Sequence, residues 1–216
     1  MWTMSSRFCL LISLFAVFCA RPLALFADVI ASTLPSDNSY CLGCGNAGIG
    51  TQTFAIRFDA STDAQLGEIE VAVALLSGPN QLLVSLATDD DGSPGNILES
   101  LTAIGQMKPI GSASSIVTVD SILQPTLVEG DYYWIEVSTP APFDTMASWY
   151  SNDLGISGTS ALSSVPPSSW SVGEDTYAPA YRVISAVPEP RSFAIIVALF
   201  GVMGILAKRQ SWLRRS

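Results

Sequence analysis

The chain of 216 residues contains no histidine. Serine-histidine-acid triads need that imidazole as their general base, and most hydrolytic metal sites use it as a ligand. The sequence also lacks a G-x-S-x-G elbow, a phosphate-cradling glycine loop and a dinucleotide fingerprint. We therefore expect a protein that is not an enzyme and that needs no cofactor. A two-carboxylate glycosidase requires no histidine and is the less favoured alternative.

Basic residues are scarce over most of the chain. All 19 acidic residues fall within positions 28–189, where only Arg57, Lys108 and Arg182 are basic, which leaves that stretch a formal charge of −16. A field of this sign repels nucleic acid and anionic lipid. We therefore expect a well-hydrated acidic domain with no nucleic-acid partner.

Long apolar runs occur only near the two ends of the sequence. Near the start, Arg7 precedes an apolar run over residues 8–20, and small residues follow at Ala24 and Ala27. This is the layout of a secretory signal peptide, which we predict over residues 1–27. The alternative is an uncleaved anchor, because Arg21 and Pro22 interrupt the run.

Near the other end, residues 193–207 carry no polar side chain, as hydrocarbon requires of a spanning helix. The helix predicted over residues 192–207 reaches about 24 Å, short of a hydrocarbon core of about 30 Å. Arg191 and Lys208 would close that gap by snorkelling. The basic tail over residues 208–216 favours a cytoplasmic end. A buried helix of a soluble domain is disfavoured, because this segment is apolar on all sides.

Four residues precede this helix and carry a resemblance: Val187, Pro188, Glu189 and Pro190. With the apolar helix and the basic tail, they resemble the PEP-CTERM sorting signal of bacterial surface proteins. The resemblance implies a sorting signal over residues 187–216 and processing by an exosortase, a membrane protease-transferase. It also implies export in a Gram-negative-type bacterium that makes exopolysaccharide. The membrane would hold the protein at least transiently, before its final place in the cell envelope, at the surface or in the extracellular matrix.

The cysteines divide between two parts of the chain. Cys9 and Cys19 lie in the predicted signal peptide, whereas Cys41 and Cys44 remain in an N-terminal segment over residues 28–50. Outside the cytoplasm such a pair is by default a disulfide, which here would stiffen the entrance to the domain. A redox pair is the alternative. Zinc is disfavoured, because no histidine and no further cysteine are left to complete its ligand set.

Residues 51–186 alternate between apolar and polar side chains with a period of two. This pattern predicts short strands over residues 53–58, 68–73, 82–87, 116–119, 132–137 and 178–184. Glycine, proline and asparagine mark turns over residues 77–80, 91–96 and 129–131. We therefore predict an all-β fold, an antiparallel β-sandwich of jelly-roll type.

Two short motifs in this region carry a second resemblance. Residues 89–95 read D-D-D-G-S-P-G, and residues 130–134 read G-D-Y-Y-W. A D-x-x-G-x-P-G turn and a later G-x-x-Y-W strand are similar to the choice-of-anchor R type of exported β domain. The resemblance implies a domain fused to a surface-anchoring signal, and it brings no catalytic residues.

Aromatic residues near carboxylates suggest a glycan site at Trp134, Trp149, Tyr150 and Trp170. On the strand over residues 132–137, we expect Tyr132, Trp134 and Glu136 to share a solvated face opposite the core. The competing and favoured interpretation is that these rings fill the sandwich.

Asp89, Asp90 and Asp91 are candidate calcium ligands, because calcium prefers clustered carboxylates on a turn. Counted from Asp89, however, the sixth position of an EF-hand loop would be Pro94 instead of glycine. A solvated hairpin tip is therefore the favoured interpretation, and no metal is expected.

The sequence thus predicts a non-enzymatic exported protein of the cell surface or extracellular matrix. The alternative is a carbohydrate-binding module that recognises exopolysaccharide.

Overall fold

The computed structural model describes residues 27–42, 52–112, 115–140, 144–164 and 169–187. The predicted signal peptide, Cys44, residues 188–190 of the sorting motif, the predicted helix and the basic tail lie outside the described residues, as does the side chain of Cys41. Residues 27–186 form one compact unit. None of the described residues belongs to a helix that could span a membrane.

All regular structure in the described part of the chain is β. The strands are β1 (Val29–Ser32), β2 (Ser36–Leu42), β3 (Gln52–Asp59), β4 (Ala64–Ser77), β5 (Gln81–Asp90), β6 (Ser93–Ile104), β7 (Lys108–Pro109), β8 (Ile116–Asp120), β9 (Thr126–Leu127), β10 (Tyr132–Ser138), β11 (Met146–Asn152), β12 (Ser157–Ser164), β13 (Ser171–Tyr177) and β14 (Tyr181–Ser185).

The strands form two sheets. One sheet is antiparallel and has the order β13-β12-β3-β10-β5-β6. The other has the order β1-β14-β4-β11-β2, with β7, β8 and β9 also paired to β4, and the β4–β7 pair is parallel. The prediction of an all-β fold is confirmed.

Strand β4 organises the second sheet. Residues 68–71 pair with β14 and also with β8, so these two partners lie on opposite edges of β4. Further along, Ala74 pairs with Ser148 of β11 and with Lys108 of β7. Both edges of β4 are therefore covered over most of its length.

The two sheets face each other across one apolar cluster. Alternate residues of the facing strands supply it, as the period of two predicts: Phe54, Ile56, Phe58, Ile69, Val71, Val73, Leu82, Val84, Leu86, Tyr133, Ile135 and Val137. Trp149 belongs to the same cluster, and its ring meets that of Phe54 edge-on with the centroids 6.1 Å apart. This packing is that of a sandwich.

Five of the six predicted strands lie within β3, β4, β5, β8 and β10. The sixth is predicted too early, because Pro179 precedes β14 and makes only an isolated bridge with Ser151. Eight strands have no counterpart in the prediction: β1, β2, β6, β7, β9, β11, β12 and β13.

The predicted turn over residues 91–96 is shorter in the structure. Asp91 (φ 50°) and Gly92 (φ 83°) alone make the hairpin, and β6 begins at Ser93. Two consecutive residues with positive φ give a turn whose twist matches that of the flanking strands. Pro94 and Gly95 therefore lie inside an edge strand, where proline is tolerated.

A buried carboxylate joins β6 to the connection between β8 and β9. Glu99 accepts hydrogen bonds from the hydroxyl of Ser121 (2.5 Å) and from the amides of Ile122 (2.7 Å) and Leu123 (2.8 Å). Burial raises the pKa of Glu99, but these three hydrogen bonds outweigh it and hold the pKa below the ordinary value of 4.5. The carboxylate thus fixes a loop of one sheet to a strand of the other.

Replacing this carboxylate with an amide, Glu99→Gln, should lower the free energy of unfolding by about 2 kcal/mol at pH 7, because hydrogen bonds to a charged acceptor are the stronger ones. The stabilisation is present above the unfolded pKa and is lost as the pH falls through the lowered folded pKa. The deficit should therefore shrink in acid, as urea unfolding at several pH values would measure. The exposed Glu129→Gln is the control, and a deficit independent of pH would contradict the assignment.

Candidate functional site

Two of the predicted glycan residues lie in the interior. Trp149 is fully buried in the main core, where its indole N–H donates to the carbonyl of Ala180 (2.9 Å). Tyr150 is buried on the other face of the same sheet, against Ala72 and Ala74. Neither ring offers a face to a ligand in this structure.

The face of β10 expected to be solvated is exposed at Tyr132 but buried at Trp134 and Glu136. Trp134 and Glu136 do point away from the main core, but Trp134 is 0 % exposed and Glu136 is 8 % exposed. The expectation was wrong because the neighbouring strands contribute small side chains that make room for the indole. The small neighbours are Ala55, Ala87 and Ala161, and the half-buried Trp170 packs against the same cluster.

Asp89, the first of the calcium candidates, is already engaged. Its Oδ1 accepts a hydrogen bond from the Trp134 indole (2.7 Å), and its Oδ2 accepts one from the amide of Gly92 (2.9 Å). Asp90 and Asp91 are exposed at the hairpin tip. Within the described ranges, no group of three or more histidine, cysteine, aspartate or glutamate residues is placed to hold a metal ion.

A polar network continues from Asp89 across the sheet to Arg57. The Arg57 Nη1 lies 3.9 Å from Asp89 Oδ1, and its Nη2 donates to the hydroxyl of Thr159 (3.1 Å). The guanidinium also lies over the ring of Tyr132, 4.6 Å from the centroid. Together with Trp134, the network links β5, β3, β12 and β10, so Arg57 is held from three sides.

A cleft opens beside this network, where β3 and β12 separate. The β3–β12 ladder ends at Ile56, opposite Ser160, although β3 runs on to Asp59. Strand β1 of the other sheet closes the far side, because the amide and hydroxyl of Ser61 both donate to the carbonyl of Ile30 (3.3 and 2.5 Å). The cleft has a volume of about 370 Å³ and is lined by residues of β1, β3, β10 and β12 and by Tyr181.

The lining combines an aromatic ring with acidic and phenolic groups. Tyr132, which is 50 % exposed, pairs directly with Asp59 across the β10–β3 ladder. Tyr181 is only 6 % exposed, and none of the described residues is hydrogen-bonded to its hydroxyl. Burial, and then the charge of Asp59, raise the pKa of Tyr181, so the phenol stays protonated and can donate.

A carboxyl group with an unusual pKa, that of Glu136, lies on the outer face of the six-stranded sheet. Glu136 stands between Ala55 of β3 and Ser85 of β5 in the strand register. None of the described residues donates a hydrogen bond to its carboxyl group. Desolvation raises the pKa of Glu136 to about 7, so that both protonation states are populated near neutral pH.

The two ends of the compact unit are hydrogen-bonded to each other. The amide of Asp28 donates to the Ser185 hydroxyl (2.7 Å), and the amide of Ser185 donates to the Asp28 carbonyl (2.8 Å). The amide of Ala186 then donates to the carbonyl of Gln65 (2.7 Å), and the next residue, Val187, is exposed. The start of β1 and the end of β14 thus leave the domain at one place.

Sequence reasoning did not single out Arg57, Asp59 or Tyr181 as site residues. The one available signal was the alternation in β3, which points Arg57 away from the core. The placement of Asp59 beside Tyr132 depends on the pairing of two strands that lie about 70 residues apart in the sequence.

No protein-family model matches the chain, and none of the curated proteins matches it. Among solved structures, the chain is similar to the crystal structure of a serine protease of Aeromonas sobria, with 10 % sequence identity and a TM-score of 0.28. The likeness covers 79 % of this chain and 29 % of that one. A TM-score this low carries no argument about fold or function.

The substitution Glu136→Gln should stabilise the protein above neutral pH. The folded pKa is raised from 4.5 to about 7, so stability is lost as the pH rises between those values, and the amide avoids this loss. We expect a gain of about 2 kcal/mol at pH 8, allowing for partial solvation, and no gain at pH 4.

Chemical unfolding at the two pH values measures this difference. The exposed Glu174→Gln is the matched control and should give no gain at either pH. An equal gain for Glu136→Gln at pH 4 and pH 8 would show that burial of the charge is not the cause.

Proposed function

We propose that this chain is a non-enzymatic exported protein of the cell surface or extracellular matrix, sorted through a PEP-CTERM-type signal over residues 187–216. The observation that carries the proposal is the hydrogen-bonded pair of Asp28 and Ser185 at one end of the domain. Because this pair joins the start of β1 to the end of β14, the predicted signal peptide and the sorting motif would both connect to the domain at the same place.

Removal of the predicted signal peptide after Ala27 would leave Asp28 as the first residue. Its nitrogen would keep its partner on Ser185, so β1 would stay paired with β14 after cleavage.

The sorting motif begins two residues after Ser185, at the exposed Val187. A membrane enzyme acting near residues 187–190 would therefore cut directly beside the folded domain, without having to unfold it. Because β1 starts at the same place, attachment through this end leaves the rest of the domain free to face its surroundings.

The charge of the domain also supports a location outside the membrane. With 19 acidic and three basic residues over positions 28–189, the exported part is repelled by an anionic membrane surface. The basic residues concentrate instead near the two apolar segments, where the positive-inside rule retains them.

Further features belong to this proposal. They are the jelly-roll type of the sandwich, its likeness to a choice-of-anchor domain, the disulfide between Cys41 and Cys44, the exosortase partner and the membrane helix over residues 192–207. The bacterium would be of the Gram-negative type and would make exopolysaccharide.

The substitution Glu189→Ala tests the sorting assignment. Expressed as the full chain in an exosortase-bearing host, the variant should accumulate in the membrane fraction at its unprocessed mass, because the central residue of the motif is missing. Immunoblotting of membrane and extracellular fractions gives both mass and location.

The matched control is Glu174→Ala, which removes the same charge from the exposed strand β13 and should be processed normally. The wild-type chain in a host without the exosortase should resemble Glu189→Ala. Processing and location of Glu189→Ala identical to those of the wild type would contradict the sorting assignment.

A further inference from the structure

We propose that the cleft between β1 and β12 is a binding site for a neutral glycan, with Tyr132 as its stacking platform and with Asp59 and Tyr181 as hydrogen-bonding partners for sugar hydroxyls. This site contains none of the four aromatic residues predicted to bind glycan, although Tyr132 lies on the face of β10 that was expected to be solvated. It also does not depend on the terminal segments, so it stands or falls separately from the sorting signal.

The first support is the presentation of Tyr132. Arg57 covers one face of the ring, while half of the Tyr132 surface remains exposed. A flat apolar face bordered by polar groups suits the C–H face of a sugar ring, because a tyrosine ring combines an apolar body with a polar edge.

The second support is the rigidity of the platform. The hydrogen bond from the buried Trp134 fixes Asp89, which borders Arg57, and Thr159 holds the guanidinium from the opposite side. A ring supported in this way loses little conformational freedom on binding, and such preorganisation favours affinity.

The third support is the pair of polar partners beside the ring. Asp59 lies directly opposite Tyr132, and none of the described residues donates a hydrogen bond to its exposed carboxylate. Tyr181, whose side chain is largely buried, lines the same cleft, and its protonated hydroxyl has no hydrogen-bond partner among the described residues. One group accepts and the other donates, which matches a hydroxyl that does both.

The charges of the cleft and of the surrounding domain determine which class of glycan fits. The lining residues carry one cation, Arg57, and one anion, Asp59, so the cleft has no net charge to attract an ion. The surrounding domain is strongly acidic and repels polyanions. A neutral polysaccharide therefore fits better than one rich in uronic acids. The volume of about 370 Å³ lies within the range of about 300–1,000 Å³ of small-ligand sites.

The experiment is affinity electrophoresis of the full chain in lauryldimethylamine oxide, a detergent without a sugar headgroup. The gels contain dextran, galactomannan or xyloglucan as neutral probes, and polygalacturonate as the anionic one. We expect at least one neutral polysaccharide to retard the wild-type chain. Tyr132→Ala should weaken that binding by about tenfold or more, since truncating a central aromatic anchor has effects of this size.

Further variants separate recognition from folding. Tyr132→Phe keeps the ring and should retain most of the binding, whereas Asp59→Asn and Tyr181→Phe should each weaken it several-fold. Tyr177→Ala removes a similarly exposed ring outside the cleft lining and should bind like the wild type. Emission from the buried Trp134 and Trp149 reports whether each variant is folded.

Two results would overturn the proposal: no retardation by any of the neutral polysaccharides, or retardation that folded Tyr132→Ala leaves unchanged. Retardation by polygalacturonate alone would overturn the assignment of a neutral ligand. None of these results would affect the sorting signal, which is tested by processing at Glu189.

Discussion

The structure depends above all on the pairing of β4 along both of its edges. Residues 68–71 of this strand pair with β8 on one side and with β14 on the other, and β14 lies more than 100 residues later in the sequence. Arg182 of β14 reinforces that ladder through the carboxylate of its cross-strand partner Glu70, with Nε 2.6 Å from Oε2. Among the strands of the described residues, β1 in turn pairs only with β14. The first strand is therefore placed by the last, and the second sheet is incomplete until β14 has returned to β4.

The six-stranded sheet depends on a different constraint, which is the burial of the large Trp134 side chain. The indole is buried on an outer face where β3, β5 and β12 each contribute an alanine, so its burial needs no loss of other large side chains. Its N–H would be unsatisfied there without Asp89, and the cost of an unpaired buried donor is about 1–3 kcal/mol. The carboxylate that accepts the hydrogen bond of the buried indole also lies beside Arg57. The hydrogen bond of Trp134 thus helps to position the arginine that stacks on Tyr132.

The sequence predicted those parts of the fold that local alternation decides. Strands β3, β4, β5 and β10 are rich in branched and aromatic residues at every second position, and the predicted strands lie within all four. Strand β12 is rich in serine and glycine, β13 is mostly polar, and Pro94 and Gly95 interrupt the pattern of β6. The pairing of these strands with their neighbours therefore decides their structure, and no local pattern reveals it. The exposure of Trp134 and Glu136 was wrong for a related reason, because it depends on alanines from distant strands. The cleft could not be predicted from the sequence, because Asp59, Tyr132 and Tyr181 come together only through long-range strand pairing.

The cleft and the joined ends of the domain share one element, which is β1. Residues 30–33 line the cleft, and they follow Asp28 by two to five positions. At about 3.3 Å per residue in a strand, the lining lies roughly 7–17 Å from the place where the two ends meet. A ligand in the cleft would thus lie near the proposed attachment and not at the far end of the domain. Strand β1 is paired with β14, and β14 is paired with β4. The same ladder therefore positions both the side of the cleft formed by β1 and the place where the chain leaves the domain. Loosening β14 would therefore disturb both at once, whereas a change at Tyr132 alters the cleft alone.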